Sequence, residues 1–300
     1  MTSESATPAY ASARARGLGS SRRRARALRR ALRRVGLDAL MIVVALIVLF
    51  PLLFALSTSL KTGAEVDRYP PTLWPHVLNF GNYPAAMQQA PLPRFLLNSF
   101  VQAGAITLGQ LVTASLAAFA FAFVEFPGRQ WLFFLFLSTL MIPGEVTLIP
   151  NYLTVRSLGW LDTYPGLIAP YLATAFGTFL LRQFFLTIPR ELQDAARIDG
   201  ASRRRFLWMI VLPLSRPALA TLAIYAFLSS WNQYLWPLLV INSTGMRTVQ
   251  IGLALLQSQE IISWSVVMAG VVLIVLPTVV LFILGYRHVV RGLTAGAVKG

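Results

Sequence analysis

Six apolar segments, each close to the length needed to cross a lipid bilayer, divide this sequence. They cover residues 37–60, 95–123, 131–150, 164–185, 217–241 and 264–286. Hydrophobic residues make up 56% of the chain and charged residues only 12%, which is about half the charged share of a soluble domain. The pattern predicts an all-α polytopic membrane protein with six transmembrane helices.

Basic residues are distributed unevenly between the two sides that six spans define. With a cytosolic N-terminus, 21 of the 26 Lys and Arg residues fall on inner segments and 5 on outer segments. Cytosolic segments of membrane proteins carry this excess. We therefore expect both termini in the cytosol. The expected organisation is a basic tail (1–36), a first helix with an outer loop (37–93), a transmembrane core (94–286) and a C-terminal tail (287–300).

The N-terminal tail carries ten arginines against the single acid Glu4. A nucleic-acid arm is one interpretation, but no aromatic residue interleaves the arginines for base stacking. A cytosolic tail, partly helical from Arg22 and resting on anionic lipid, is the interpretation we favour, with no nucleic-acid partner. The apolar run that follows is too long for a signal peptide and lacks a small-residue cleavage site, so we expect it to be retained.

A short charged stretch, "ELQDAARIDG" at 191–200, interrupts the apolar sequence between the fourth and fifth spans, and the basic asymmetry places it in the cytosol. Pro189 in the first turn, Glu191 near the positive end of the dipole and Gly200 as a left-handed stop predict a short helix at 189–200. Ser202 can cap a second helix. At helical spacing, one face combines Leu192, Ala195, Ala196 and Asp199, and the other combines Glu191, Asp194 and Arg197.

This stretch resembles the "EAA…G…I-LP" loop of the membrane subunits of bacterial ABC importers. The matching positions are Asp194, Ala195, Ala196, Gly200, Ile210, Leu212 and Pro213, with Asp in place of the usual Glu. The resemblance implies that the helix, including Glu191, is a coupling helix that sits in a groove on a cytosolic ATPase subunit. The residues without the resemblance also fit a surface helix lying on the membrane, which is the alternative.

Other motifs narrow the resemblance to the second permease of carbohydrate-uptake ABC importers. They are "LLNSF" (96–100), "FPGR" (126–129), "LDTYPGLIAP" (161–170), "FLLRQFF" (179–185), "WNQYLWPLL" (231–239) and "RGLTAGAVKG" (291–300). Within this branch, "LMIPGEVTLIP" and "WNQYLWPLL" are most similar to permeases of sn-glycerol-3-phosphate importers. The implied solute is a polyol phosphate or an oligosaccharide, taken up through the bacterial inner membrane.

The same resemblance implies the partners of the chain. They are a second permease subunit, an ABC ATPase dimer that uses ATP and Mg, an extracytoplasmic solute-binding protein, and membrane lipid. It also implies that the C-terminal tail contacts the ATPase. We expect no cofactor on this chain itself.

Catalytic chemistry has no support in the sequence. There is no cysteine, and neither His76 nor His288 has neighbouring residues that would complete a metal site. The two lysines, Lys61 and Lys299, lie outside any P-loop pattern, and no Gly-x-Ser-x-Gly elbow is present. We therefore predict a protein that is not an enzyme. An ion-coupled secondary transporter remains the alternative function.

Glu145 is the first candidate for the solute pathway. We expect Pro143 and Gly144 to break the third span and Pro150 to end it, so that the backbone lines protein or water. The alternative is an acid near the outer surface that binds freed amides, and the sequence does not choose between them.

A second candidate is the polar run Asn232, Gln233 and Tyr234, followed by Trp236. Polar groups at this depth need a cavity or another helix. Amide and aromatic side chains suit a sugar or polyol, so we favour lining of the pathway over bonding between helices. We expect the run to lie on one continuous helix, where successive side chains point about 100° apart.

Two further segments have structural interpretations. Ala105 and Gly109 form a small-residue pair that favours close helix packing within the chain. Residues 61–93 predict an irregular outer cap with short helical turns, which either receives the solute-binding protein or packs on the spans.

Overall fold

Helices make up all the regular secondary structure over the residues that the computed structural model describes, 9–257 and 263–294, with side chains described for 33–257 and 263–284. No strand occurs in these ranges, which confirms the predicted all-α class. The chain divides into two units, Met1–Ser57 and Thr58–Gly300.

Fifteen α-helices are present in the described ranges. They are α1 (Ala9–Ser59), α2 (Gly63–Val66), α3 (Asn82–Gln89), α4 (Leu92–Phe123), α5 (Arg129–Ser138), α6 (Gly144–Ser157), α7 (Tyr164–Ile168), α8 (Ala175–Phe185), α9 (Arg190–Ile198), α10 (Arg203–Phe206), α11 (Leu212–Leu214), α12 (Arg216–Trp231), α13 (Leu235–Val240), α14 (Val249–Gln257) and α15 (Trp264–Thr294). Short 3₁₀ turns occur at Thr139–Met141, Ala169–Tyr171 and Thr244–Met246, and a π-helical segment at Leu207–Val211.

Helix α1 joins the basic tail to the first apolar segment without a break. It begins at Ala9, well before the helix start that we expected at Arg22, and it continues through Pro51. Its stretch Arg33–Ser59 is long and apolar enough to cross a membrane. The first eight residues of the predicted tail lie outside the described residues.

Among the described residues, three single helices are candidate membrane spans, or up to six when bent helix pairs are included. The single helices are Arg33–Ser59, Leu92–Phe123 and Trp264–Leu284. The pairs are Arg129–Met141 with Gly144–Ser157, bent by 97°, Tyr164–Tyr171 with Ala175–Phe185, bent by 46°, and Arg203–Leu214 with Arg216–Trp231, bent by 79°. A polytopic helical protein is therefore shown, and the count of six stays a prediction.

The bend in the third predicted span lies where the sequence placed it. Ile142 is extended, because the residue before a proline is disfavoured in the α region, and Pro143 then caps the start of α6. Our expectation that Pro150 ends this span was wrong. Pro150 lies inside α6, which continues to Ser157, so the proline removes one backbone hydrogen bond without stopping the helix.

The core of the second unit forms where α4 packs against α8 and α12, and α12 packs against α15. Small residues permit the close approaches. A Cβ added at Gly109 would collide with Leu172, and one at Gly252 would collide with Phe95. The contact of Gly109 with Leu172 confirms that this small residue serves packing within the chain.

Residues 61–93 form an irregular segment with the short helices α2 and α3, as the sequence predicts. The Glu65 carboxylate is one of its polar anchors. It accepts hydrogen bonds from Nδ1 of His76 (2.7 Å), from the His76 backbone N–H (2.9 Å) and from the Thr72 hydroxyl (3.2 Å). The hydrogen bond from the His76 side chain is the largest cause that holds the pKa of Glu65 below its ordinary value.

Candidate functional site

The charged helix predicted at 189–200 is present as α9. Pro189 occupies its N-cap position, and Glu191 lies in its first turn, near the positive end of the helix dipole. Thr187 lies before the helix. The predicted boundaries are therefore confirmed to within two residues at the C-terminal end, where the helix stops at Ile198.

Gly200 ends α9 in the predicted left-handed conformation, with φ of 72°. Its N–H donates to the Arg197 carbonyl (3.0 Å), and the Ala201 N–H donates to the Ala196 carbonyl (2.8 Å). This pair of bonds is a Schellman motif, which satisfies two carbonyls that the helix end leaves free. A Cβ at Gly200 would meet no atom within 4 Å, so the conformation, not a shortage of space, requires glycine.

The two alanines of α9 face different surroundings. Ala196 is buried, whereas Ala195 is exposed. We expected Ala195 and Ala196 to share one face, and this was wrong because α9 lies with Gln193 and Ala196 against the rest of the unit. The Gln193 amide donates to the Phe123 carbonyl (3.4 Å). The alanine pair therefore offers one residue to the core and one to the surface.

The surface of α9 opposite Ala196 consists of Glu191, Asp194, Ala195 and Ile198, and we call it the exposed face of α9. Ile198 is 86% exposed, an unusual state for an isoleucine next to a well-packed core. The Asp194 carboxylate lies 3.8 Å from the Arg197 guanidinium, but both are exposed and the pair contributes little to stability. The exposed face combines two apolar side chains, of which Ile198 is the larger, with two carboxylates.

Four phenylalanines pack in or against the hydrophobic cluster that contains Ala196, and we call them the aromatic seat. Phe119 from α4, Phe185 from α8 and Phe206 from α10 are buried members of this cluster, and Phe123 from α4 packs against it. Phe123 contacts Phe206 edge-on at 5.3 Å and stacks with Phe185 at 6.2 Å. Aromatic pairs of this geometry add to the free energy of burial, so the seat ties three helices to α9.

The chain leaves α9 through a second capped helix. The Ser202 hydroxyl accepts the N–H of Arg205, which confirms the predicted cap. The π-helical segment Leu207–Val211 follows. Pro213 explains its position, because a proline lacks the N–H of an α-helical bond and its ring crowds the carbonyl four residues earlier.

Ile210, Leu212 and Pro213, the last three positions of the loop motif, lie in and just after this π-helical segment. Ile210 and Leu212 are half-buried against the aromatic seat. The chain then bends by 79° into α12. The motif therefore forms one continuous structure with the seat and α9.

The residues proposed for the solute pathway differ in their exposure. Glu145 is exposed in the first turn of α6. Trp236 is only 2% exposed, and its Nε1 donates to the Gly166 carbonyl at 3.2 Å. The structure therefore places Trp236 in the core of the chain, in a cluster against which Leu148 and Tyr152 of α6 also pack.

The polar run at 232–234 does not lie on one helix, which corrects our expectation. Helix α12 ends at Trp231 and α13 begins at Leu235. Pro237 supplies the physical reason, because its missing N–H and its ring oppose an α-helical bond to Gln233, whereas the first turn of a new helix tolerates it.

The three side chains of this break have separate environments. Asn232 is exposed, and its amide donates to the Leu228 carbonyl (2.9 Å). Gln233 is half-buried and accepts a hydrogen bond from the Gln102 amide of α4 (2.8 Å). Tyr234 lines a cavity of about 360 Å³.

Asn98 is a structural residue that the sequence reasoning did not single out. It is fully buried, and its amide donates to the carbonyls of Gly245 and Arg247 at 2.9 Å each. Its oxygen accepts the Tyr164 hydroxyl at 2.8 Å. Both partner segments lie far along the chain, so only the motif "LLNSF" marks this position in the sequence.

Metal binding finds no support in the part of the chain whose side chains are described. No group of three or more His, Cys, Asp or Glu residues lies close enough there to hold an ion. His288 and the terminal residues 295–300 are outside that part.

Comparison with known proteins gives consistent matches. The family model described as "binding-protein-dependent transport system inner membrane component" matches residues 110–294. The sn-glycerol-3-phosphate transport system permease protein UgpE of Yersinia enterocolitica is 40% identical over 272 residues, covering 87% of this chain and 97% of the relative. UgpE of Agrobacterium fabrum is 41% identical over 273 residues, covering 88% and 97%.

A solved structure extends the match to three dimensions. The crystal structure of a bacterial ABC transporter involved in the import of the acidic polysaccharide alginate contains a chain that superposes with a TM-score of 0.75. The match covers 84% of this chain and 95% of that chain, at 24% sequence identity. At this identity the likeness establishes a shared fold.

Proposed function

This chain belongs to the family of binding-protein-dependent transport system inner membrane components, and from that premise we propose that it passes a phosphorylated polyol, sn-glycerol-3-phosphate or a close analogue, across the bacterial inner membrane. It is a multi-pass permease subunit of an ABC importer, and its relatives are transport proteins, not enzymes. Family membership decides against the ion-coupled secondary transporter.

The solute is inferred from the relatives. Two permeases of sn-glycerol-3-phosphate transport systems are 40% and 41% identical to this chain over nearly their whole lengths. Identity of this extent supports a small phosphorylated polyol over an oligosaccharide.

The observation that carries the coupling role is the exposed face of α9. Helix α9 ends in a Schellman motif and packs on the aromatic seat, so we infer that it is rigid. It exposes Ile198, an apolar side chain that is available for contact with a partner. The carboxylates of Glu191 and Asp194 flank this side chain. We infer that α9 docks in a groove of the partner ATPase that offers an apolar floor and basic side chains at its rim.

The aromatic seat suggests how the docked helix transmits motion. Because Ala196 packs on side chains from α4, α8 and α10, a displacement of α9 moves the inner ends of these helices together. A well-packed core transmits such a displacement, since it resists compression. ATP and Mg are used by the ATPase in this proposal, and the permease supplies no residue to that chemistry.

The remaining proposals concern topology and assembly. Six spans place both termini and α9 in the cytosol, in agreement with the basic residues on the inner segments. The assembly comprises a second permease, an ATPase dimer and an extracytoplasmic solute-binding protein. Reporters fused after residues 185 and 286 should then face the cytosol, and one fused near residue 84 should face outward.

The function is tested by reconstitution. The complete complex in proteoliposomes, supplied with its solute-binding protein outside and ATP with Mg inside, should accumulate labelled sn-glycerol-3-phosphate. Uptake driven by an ion gradient without ATP would contradict the importer mechanism. ATP-driven uptake of neutral sugars without any uptake of sn-glycerol-3-phosphate would contradict the solute.

The docking role of α9 has its own test. Ile198→Ser should reduce co-purification of the ATPase and solute-stimulated hydrolysis by roughly tenfold, in the range of a residue at the centre of an interface. Leu158→Ser is the matched control, since Leu158 is also exposed, at 52%, but lies beyond α6. Equal ATPase binding by both variants would contradict docking through the exposed face.

A further inference from the structure

A cavity of mixed character lies between α13, the segment 241–247 and α14, with a volume of about 360 Å³. Tyr234, Asn242 and Arg247 are its polar lining residues. Aliphatic side chains, among them Leu238 and Ile251, form the rest of its wall. A concave site with an apolar wall and a few converging polar groups is typical of a small-molecule site.

Arg247 is held at this cavity by its backbone. Its carbonyl accepts a hydrogen bond from the buried Asn98 amide (2.9 Å), and its N–H donates to the Thr244 carbonyl (3.3 Å). Two residues further on, the N–H of Val249 donates to the Ser99 hydroxyl (3.0 Å). The arginine therefore projects from a segment that α4 fixes, not from a free loop.

The charge of Arg247 is not balanced by the described side chains. The ion pairs among them are His76 with Glu65 and Arg197 with Asp194, and neither involves Arg247. Asp162, which contacts the neighbouring residues 242 and 243, directs its carboxylate to the backbone N–H groups of Asn242 (2.7 Å) and Ser243 (2.8 Å). A half-buried guanidinium facing a cavity is suited to receive an anion from outside the chain.

We propose that Arg247 binds the phosphate group of the solute in this cavity, while Tyr234 and Asn242 hydrogen-bond its hydroxyl groups. This inference rests on the proposed function, because a phosphorylated polyol is the solute that needs such a set of groups. The planar fork of a guanidinium matches two phosphate oxygens at once, which a lysine cannot do. The apolar wall formed by Leu238 and Ile251 contacts the carbon chain of the polyol.

The experiment compares the assembled importer carrying Arg247→Gln, Arg247→Lys, Arg156→Gln or Arg94→Gln in proteoliposomes. Arg156 is exposed near the end of α6 and does not line the cavity. Arg94 donates from Nε to the Gly245 carbonyl (3.1 Å), so its loss loosens the same segment without touching the cavity. Uptake is measured against sn-glycerol-3-phosphate concentration and expressed per assembled complex.

We expect Arg247→Gln to raise the KM for sn-glycerol-3-phosphate uptake by roughly tenfold or more, which corresponds to one lost charge-assisted contact. The KM of Arg247→Lys should lie between those of Arg247→Gln and wild type, because lysine keeps the positive charge but cannot donate two parallel hydrogen bonds to the phosphate. The KM of Arg156→Gln should match that of wild type. Arg94→Gln should change KM by about twofold at most, which is the size of effect expected for a residue at the rim of a site.

Three outcomes would overturn the proposal. In the first, Arg247→Gln transports with the wild-type KM. In the second, Arg94→Gln raises KM as much as Arg247→Gln, which assigns the effect to the loop. In the third, the wild-type complex takes up a different solute and no sn-glycerol-3-phosphate. This last outcome also refutes the proposed solute, whereas the first two leave the proposed function intact.

Discussion

The α9 region and the segment from Asn232 to Arg247 are both short, irregular connections between longer helices, but different contacts hold them. The cap, the left-handed stop and the Schellman bonds of α9 all join residues within thirteen positions of one another. The second segment is held by Asn98 and Gln102 of α4, which lie more than a hundred residues earlier. The comparison teaches that local bonds define the ends of α9 and distant side chains only seat it, whereas the backbone of the second segment itself depends on distant anchors.

The largest expected effect comes from removing the distant anchor. Asn98→Ala removes the hydrogen bonds that Asn98 makes with the carbonyls of Gly245 and Arg247 and with the Tyr164 hydroxyl, so that Gly245 keeps only its bond from Arg94. At about 1 kcal/mol for each hydrogen bond, the loss is about 3 kcal/mol. The thermal unfolding temperature of the purified complex should fall by roughly 5–10 °C.

Asn151→Ala is the control for this change. Asn151 is half-buried on α6, and the described residues provide no hydrogen bond for its side chain. Its substitution should leave the unfolding temperature within about 2 °C of wild type. If Asn98→Ala behaves in the same way, the distant anchor is not what holds the second segment.

The next effect tests the local closure of α9. Gly200→Val places a β-branched residue in the left-handed region, at a cost of about 1–2 kcal/mol. The change should mis-aim α9 more than unfold the chain, so membrane insertion persists while transport-coupled ATP hydrolysis falls severalfold. Gly104→Val, at a helical position of α4 where a Cβ meets nothing within 4 Å, is the matched control. Full coupling in the Gly200 variant would argue against the role of α9.

A third effect concerns pH at the outer edge of the second segment. The Ser243 N–H, followed by that of Asn242, holds the pKa of Asp162 below its ordinary value. A lowered pKa in the folded state means that this contribution is present above the ordinary carboxyl pKa and is lost as pH falls through the lowered value.

Hydrogen exchange of the 242–243 amides can measure this dependence. Protection should decrease below about pH 4 in the wild type. Asp162→Asn, which keeps an acceptor oxygen that does not titrate, should remove the dependence. An identical pH profile for both proteins would show that the carboxylate does not hold this turn.

The smallest expected effect distinguishes the roles of Asn232 and Gln233, the two amide residues between α12 and α13. Gln233→Ala removes the bond to Gln102 and should lower stability by about 0.6 kcal/mol, a typical value for a polar contact between membrane helices. Asn232→Ala should lower stability less than Gln233→Ala, because Asn232 is exposed and water can replace its bonds with the Leu228 carbonyl and the Gln250 amide. It should alter the rate or selectivity of uptake if Asn232 lines the pathway. Transport per assembled complex distinguishes a residue that lines the pathway from one that only stabilises the helix packing. Unchanged uptake by both variants would remove this break from the pathway.

The sequence predicted α9 well because its signals are local. Pro189, Gly200 and Ser202 each determine the backbone within a few residues, so the helix, its stop and the following cap were all readable. The orientation of Ala196 was not readable in the same way. It depends on phenylalanines from α4, α8 and α10, and spacing along α9 alone cannot show which side these rings approach.

The prediction of one continuous helix through 232–234 was wrong, although the cause of the break is present in the sequence. Hydropathy favours one continuous span, whereas Pro237 prevents the α-helical hydrogen bond to the Gln233 carbonyl and so interrupts the helix. Arg247 is a different case. Nothing near it in the sequence indicates a cavity, since its position depends on Asn98, 149 residues earlier.

The π-helical segment Leu207–Val211 affects how the helix surface after it is rotated relative to the helix surface before it. A π turn holds one residue more than an α turn, so it acts as a single-residue insertion that twists everything after it by about 100° relative to everything before it. The face that α12 presents to α4 and α15 is thus set relative to the exposed face of α9 by one extra residue. Insertion or deletion of one residue in this segment would preserve the exposed face of α9 and the packing face of α12, but would rotate one relative to the other.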